Sequence, residues 1–176
     1  MIITIGGQIA SGKTTLAKRI SEKFNLKHIS AGIVMREMAK EKGMSLIEFS
    51  RYMEENPGID KEIDMRQKKL SKQGNCVVDG RLSAYFIDPD LKIWLTAPVV
   101  VRAKRAMGRD NFKNINDAVE KIKQRESSEK KRYMEFYEID LEDMEIYDLI
   151  INTEKWDVSG MCEIAYAAVE KLIRIR

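Results

Sequence analysis

The chain reads as one α/β domain, a doubly wound parallel sheet of about five strands flanked by helices, and three observations predict it. Short β-branched runs bounded by turn residues occur at residues 2–5, 28–30, 76–78, 93–95 and 149–151, the pattern of strands buried on both faces. Helical periodicity fills the intervals between them. The 176 residues suit a single domain that buries its core without disulfides or metals.

The first run leads directly into Gly7, Gln8, Ile9, Ala10, Ser11, Gly12, Lys13 and Thr14, which fit G-x-x-x-x-G-K-[ST] without a mismatch. Leu16, Ile20 and Phe24 then repeat at helical spacing. Strand, loop and helix in that order give the motif its chemistry. The glycines let the backbone wrap an anion, and the free amides at the helix start favour it. Lys13 is expected on the β- and γ-phosphates of a nucleoside triphosphate, with Thr14 offering its hydroxyl to Mg²⁺. A turn that only joins two elements is the alternative.

Residues 33 to 73 carry helical pattern and no strand. Ser45-Leu46-Ile47-Glu48 reads as a capping box opening a helix whose apolar face is Leu46, Phe49 and Met53. Asn56-Pro57-Gly58 stops that helix, and another begins near Ile59. A helical excursion of about 40 residues exceeds an ordinary crossover and reads as an inserted lobe over a site. On its final helix Asp60, Asp64, Arg66 and Gln67 lie one or two turns apart; Arg66 with Asp60 or Asp64 is the expected reader of a substrate base, a solvated helix surface the alternative.

Val77-Val78-Asp79-Gly80-Arg81 ends the third strand with an acid. Asp79 suits a magnesium-side carboxylate beside the loop, or else caps the next helix. Arg81 falls where α/β sheets bind ligands and is a phosphate-contact candidate, or a surface residue. Arg102, Arg105 and Arg109 are spaced to share one helix face, as a clamp on a transferring phosphoryl group or as a solvated basic face. From 117 to 137 the apolar stripe Val119, Ile122, Tyr133, Phe136 is interrupted by Arg125, Glu126 and Glu129. That inward face turns charged for two turns and is expected to border a wet cleft, although intrahelical ion pairs alone would also account for it. After the fifth strand, a helix from Met161 is expected to bury Ile164, Ala168, Leu172 and Ile175.

Composition narrows the function classes. With 31 basic and 28 acidic residues the net charge is +3, too balanced to point to nucleic acid. No run of about 18 apolar residues exists, and the start lacks the basic leader of a signal peptide. Cys76 and Cys162 stand in no metal or redox spacing, so a reduced, cytoplasmic setting is expected. His28 is the sole histidine, which excludes mechanisms needing two.

With these motifs assembled, the sequence resembles the nucleoside monophosphate kinases, and more narrowly the archaeal type of cytidylate kinase. The matching stretches run through Ile3-Thr4-Ile5-Gly6-Gly7 to Thr15, Ser30-Ala31-Gly32 with Arg36-Glu37-Met38, Ile59-Asp60-Lys61-Glu62, Gly80-Arg81-Leu82, Leu91-Lys92-Ile93-Trp94-Leu95, Arg125-Glu126-Ser127-Ser128-Glu129 and Ile146-Tyr147-Asp148-Leu149. The resemblance implies a P-loop kinase fold with core 1–30, 75–109 and 125–176, a helical monophosphate-binding lobe at about 31–74 and a short lid at about 110–124. It implies ATP as donor, Mg²⁺, CMP or dCMP as acceptor, a place in pyrimidine nucleotide metabolism, and a monomer without nucleic-acid or membrane partners. Gly7 to Thr15 would bind ATP. Ser30, Gly32 and Arg36 would meet the acceptor, Arg81 would stand between the nucleotides, Arg105 and Arg109 would flank the lid, and Arg125 and Glu129 would follow it. Ala31 stands where related kinases often carry a hydroxyl, which Ser30 would replace. Leu82 stands where bacterial cytidylate kinases have an aspartate, so the sugar is recognised differently. Related kinases of AMP, UMP or an alcohol such as shikimate, and a nucleotide-binding regulatory switch, are the competing functions.

Overall fold

A computed structural model describes residues 1–44, 46–56, 58–108 and 112–175, with the backbone alone for residues 46, 47, 50, 51 and 54. Five parallel strands form one sheet: β1 (Ile2–Gly7), β2 (Lys27–Ser30), β3 (Cys76–Asp79), β4 (Leu91–Thr96) and β5 (Leu149–Asn152). Their order is β2-β3-β1-β4-β5. Every expected strand is present, each extended by one to three residues. The register pairs Ile5 with Asp79 on one side and with Ile93 on the other, so the loops leaving β1 and β3 open side by side at the carboxyl edge, where such sheets bind ligands.

Two helices cover one face. Ile3, Ile5, Val77, Ile93 and Leu95 pack against Leu16, Ala17 and Ile20 of α1 (Lys13–Phe24) and against the C-terminal helix, Val158–Arg174. In that last helix the buried positions are Met161, Cys162, Ala165 and Val169. The expected stripe is therefore out of phase by one residue: Ile164, Ala168 and Leu172 flank the contact, and Ile175 is exposed.

Three helices stand between β2 and β3: α2 (Ala31–Glu41), α3 (Leu46–Glu55) and α4 (Gly58–Ser71). They pack largely on one another, around Phe49, Val34, Met38, Ile59 and Ile63. The start of α3 and the end at Glu55 agree with the punctuation read from the sequence, while Ser45 and Pro57 lie outside the described residues. After β3 come a short helix, α5 (Ser83–Phe86), then α6 (Val99–Met107) and α7 (Ile115–Tyr137). Ala103 and Ala106 of α6 close on Ala118 and Ile122 of α7 with Ile9 between them. Within the segment expected as a lid, residues 115–124 are the first turns of α7. Farther along α7, Tyr133 is buried and Tyr137 packs edge-on against Phe86, whereas Phe136 is half exposed and off the stripe. The C-terminal helix is α8. Among the described residues no helix is long and apolar enough to cross a membrane.

Because α2–α4 rest on their own apolar cluster, Phe49→Ala is expected to cost ~3–5 kcal/mol there. Hydrogen exchange should show amides of α2 and α4 losing protection while those of β1 and β4 keep theirs.

Candidate active site

The loop after β1 is held by backbone geometry before any side chain acts. Gly7 has φ +144°, and a Cβ there would stand 2.4 Å from the Leu95 carbonyl oxygen. Glycine is required at that point by both conformation and space. Gln8 N–H donates to the same carbonyl at 3.0 Å, and Gln8 Oε1 accepts from Thr96 Oγ1 (2.8 Å) and Ala97 N (3.1 Å). Ser11 O accepts from the buried Thr153 hydroxyl at 3.1 Å. The chain then enters α1 with no side-chain cap and no acid in the first turn, leaving its amides and positive dipole end to an anion.

Lys13 folds back over this loop. Its ammonium donates to the carbonyls of Gly7 (2.9 Å) and Gln8 (2.7 Å). Burial, then the nearby Arg81 and Arg125 charges, depress its pKa to about 7 against the opposing pull of Glu129 and Asp79. Ile9, Ala10 and Thr15, also expected in the loop site, are respectively buried against α6 and α7, in left-handed backbone at φ 58°, and exposed at the head of α1.

Asp79 closes the underside. Strand register sets Ser30 beside it, and His28 Nε2 lies 3.4 Å from Oδ1. Burial raises its pKa, but hydrogen bonds from His28, Thr14 and Ser30 outweigh that and hold the carboxyl below its ordinary range. Asp79 faces the loop and does not cap α5, whose N-cap is Leu82. The next two residues also meet the site. Gly80 leaves room for the buried Gln67 of α4, whose Oε1 would lie 2.8 Å from a Cβ there, and Gln67 Nε2 donates to Asp79 O at 3.1 Å.

Arg81 points to α7. Its Nη1 is 2.8 Å from Glu129 Oε2, and Arg125 Nε is 2.8 Å from Glu129 Oε1. Glu129 is 5% exposed, so a buried carboxylate sits between two guanidiniums. One step on, Arg132 Nε reaches Asp60 Oδ2 at 3.2 Å. Burial raises the Asp60 pKa, and burial together with the Asp60 charge pushes Asp64 up to about 8. The charged face of α7 thus meets Arg81 through Glu129 and α4 through the Arg132–Asp60 pair. At the head of α2, Gly32, Ser30 and the Arg36 guanidinium lie together, Ser30 Oγ and Arg36 Nη1 being 3.6 and 3.7 Å from a Cβ on Gly32.

Other expectations are redistributed. Arg66 is two residues, or about 200°, around α4 from Asp64. It turns outward to pair with Glu41 (2.8 Å) and Glu62 (3.0 Å) and does not join Asp60 or Asp64. Arg102 is no clamp for a phosphoryl group. It is 3% exposed and bonded to Ala97 O, Ile9 O and Glu126. Arg105 donates to Thr153 Oγ1 (2.8 Å) and Thr153 O (2.7 Å), bracing the turn that holds Ser11. Arg109 lies outside the described residues. Gln67 and Glu126 were named in the sequence reading but without their contacts to Asp79 O and Ile9, and the bracing role of Thr153 was not read at all. The one available signal was Glu126 on an inward helix face.

The cytidylate kinase-like family model matches residues 2–155. The chain is 53% identical to a cytidylate kinase of Methanocaldococcus jannaschii over 98% of its own length and 99% of the relative's. It is 49% identical to a cytidylate kinase of Pyrococcus horikoshii, covering 98% and 90% of the two chains. Among solved structures, a shikimate kinase from Bacteroides thetaiotaomicron superposes with TM-score 0.63 over 97% of this chain and 98% of that one, at 16% identity. That likeness concerns the fold.

The depressed Lys13 pKa has a thermodynamic consequence. At pH 8 the phosphate-free amine is mostly neutral, and an arriving polyanion favours its charged form. Calorimetry of tripolyphosphate binding at pH 8, in buffers of differing ionisation enthalpy, should therefore show uptake of close to one proton. The uptake should shrink as pH falls below 7 and vanish in Lys13→Met.

Proposed function

The chain belongs to the cytidylate kinase-like family, and we propose that it transfers the γ-phosphoryl group of ATP to CMP, and to dCMP, forming the diphosphate. The observation that carries the site-level reading is the convergence of Lys13, Arg81 and Arg125 between an uncapped helix start on one side and an acid-bearing α4 on the other. One side suits a triphosphate, and the other a nucleoside whose ring presents hydrogen-bond donors and acceptors.

The acceptor needs little activation. A phosphate monoester has a second pKa of ~6, so its attacking oxygen is ionised near neutrality and requires no general base. Catalysis then consists of alignment and charge neutralisation. Lys13 releases the Gly7 and Gln8 carbonyls for the donor's β- and γ-oxygens, Arg81 and Arg125 face the oxygens between the two nucleotides, and Arg36 receives the acceptor phosphate beside Ser30 and Gly32. Thr14 and Asp79 would hold a magnesium ion: the Asp79 carboxyl is kept ionised below its ordinary range and the Thr14 hydroxyl adjoins it, a hard oxygen pair of the kind this cation takes. The chemistry such an ion would supply there is neutralisation of charge on the donor phosphates. The helices α2–α4 act as the acceptor lobe, and closure over both nucleotides excludes water and suppresses ATP hydrolysis.

For base reading the structure redirects attention from Arg66 to Asp64. Cytosine presents a ring-nitrogen acceptor beside an exocyclic amine donor. A neutral carboxyl offers the complementary pair, and the pKa of about 8 keeps Asp64 protonated at pH 7. A shikimate-like alcohol would need a base, and the carboxylates at the loop are already engaged, Asp79 by His28, Thr14 and Ser30 and Glu126 by Ile9 N–H and Arg102.

A coupled ADP-release assay over CMP, dCMP, UMP, AMP and shikimate tests the assignment, with CMP and dCMP expected to give the highest kcat/KM. Equal or greater turnover of AMP or shikimate would contradict it. Asp64→Leu should lower kcat/KM for CMP ten- to a hundred-fold, about 1.4–2.7 kcal/mol. Asp64→Asn, which still donates and accepts, should retain most of it.

A further inference from the structure

α7 touches three parts of the molecule at successive three-residue steps. At Glu126 it meets the donor loop. Oε1 accepts from Ile9 N–H at 3.0 Å and from Arg102 Nη1 at 2.8 Å, and Oε2 accepts from Arg102 Nη2 at 3.2 Å. Arg102 in turn donates to Ile9 O at 3.1 Å and to Ala97 O at 2.8 Å. Both backbone polar groups of Ile9 are therefore held by one ion pair, whose arginine is almost fully buried. At Glu129 the helix meets Arg81, which follows β3. At Arg132 it meets Asp60 on α4. From 126 to 132 the helix rises only ~9 Å. Between these ends lie main-chain helix bonds and the buried Glu129, and Ile122 and Tyr133 are buried just outside them.

We propose that α7 couples the two substrate sites, with Glu126 and Arg102 as positioning residues for the donor loop and the Arg132–Asp60 pair as the link to the acceptor side. The coupling rests on the reading of α2–α4 as the acceptor lobe. Asp60 belongs to the helix that moves when the lobe closes, and a change in its pairing reaches α7 through a charge-assisted bond. A rigid helix passes that displacement to Glu126, and Glu126 sets the corner of the loop from which Lys13 reaches the phosphates. The hydrogen bonds on Ile9 constrain a corner residue, leaving the amides at the head of α1 free for the anion.

The test is the affinity for a non-hydrolysable ATP analogue, measured with and without saturating CMP. Linkage requires the same factor in the affinity for CMP with and without the analogue. In the wild type CMP should tighten the analogue at least fivefold. Arg132→Gln should bring that factor within twofold of one while leaving affinity for the analogue alone unchanged. Glu126→Gln keeps an oxygen for Ile9 N–H but loses the charge facing Arg102. It should weaken the analogue severalfold even without CMP, and also abolish the coupling. Glu126→Ala would strand a buried guanidinium and is avoided for that reason; thermal melts confirm that the two Gln variants are folded. A coupling factor retained in both folded variants overturns the proposal, as does a wild-type factor of one in an enzyme that turns over CMP. A wild type that binds the analogue but gives no CMP turnover overturns the acceptor reading, and the coupling with it.

Discussion

A cleft built to hold several phosphates gathers cations, and each cation must have an internal acceptor while no anion is there. That constraint organises the structure around the loop. Lys13 is held by the carbonyls of Gly7 and Gln8, and Arg81 and Arg125 by Glu129. Arg105 is held by Thr153, and Arg132 by Asp60. A buried unpaired charge costs several kcal/mol, so these partners are conditions for folding as much as parts of a site. At Lys13, Arg81 and Arg125 they also make the site exchangeable, because a phosphate oxygen can replace the acceptor there, whereas the partners of Arg105 and Arg132 hold the frame.

The scaffold supplies the rigidity for that exchange. Parallel register places the ends of β1 and β3 together, so the phosphate loop and the Asp79-Gly80-Arg81 turn share one edge. The Leu95 carbonyl, accepting from Gln8 and leaving no room for a Cβ at Gly7, ties the loop to β4. Thr153 ties it to the turn after β5, and Arg102 with Glu126 ties it to α6 and α7. The loop is thus held from three sides, which leaves Lys13 and the head of α1 to meet the anion directly.

Much of this was legible in the sequence. Buried parallel strands are short β-branched runs, so all five were readable. The loop motif was readable because its glycines and lysine answer to phosphate geometry, and the helices of α2–α4 because caps and breakers punctuate them. What spacing alone does not convey is which way a charged residue turns. Arg102 and Arg105 do share a helix side, yet one is buried beneath the loop and the other braces Thr153, and no periodicity distinguishes those fates. Arg66 looked equivalent to its acidic neighbours, but two residues along a helix reverse the direction. In α8 the buried stripe is Met161, Cys162, Ala165 and Val169, one step round from Ile164, Ala168 and Leu172, and two adjacent apolar stripes leave the phase undetermined by spacing alone. Glu126 marks itself as a charge on an inward face, but that its partner is Ile9, 117 residues away, leaves no local trace.

The central claim is that the cations of the cleft exchange internal acceptors for phosphate oxygens. A crystal structure with an analogue joining cytidine and adenosine through a chain of phosphates tests it most directly. The account predicts Lys13 Nζ within hydrogen-bond distance of the bridging phosphates and withdrawn from the Gly7 and Gln8 carbonyls, with the cytosine ring against α4 at Asp64. Lys13 still bonded to both carbonyls, with the phosphate chain bound elsewhere, would contradict it.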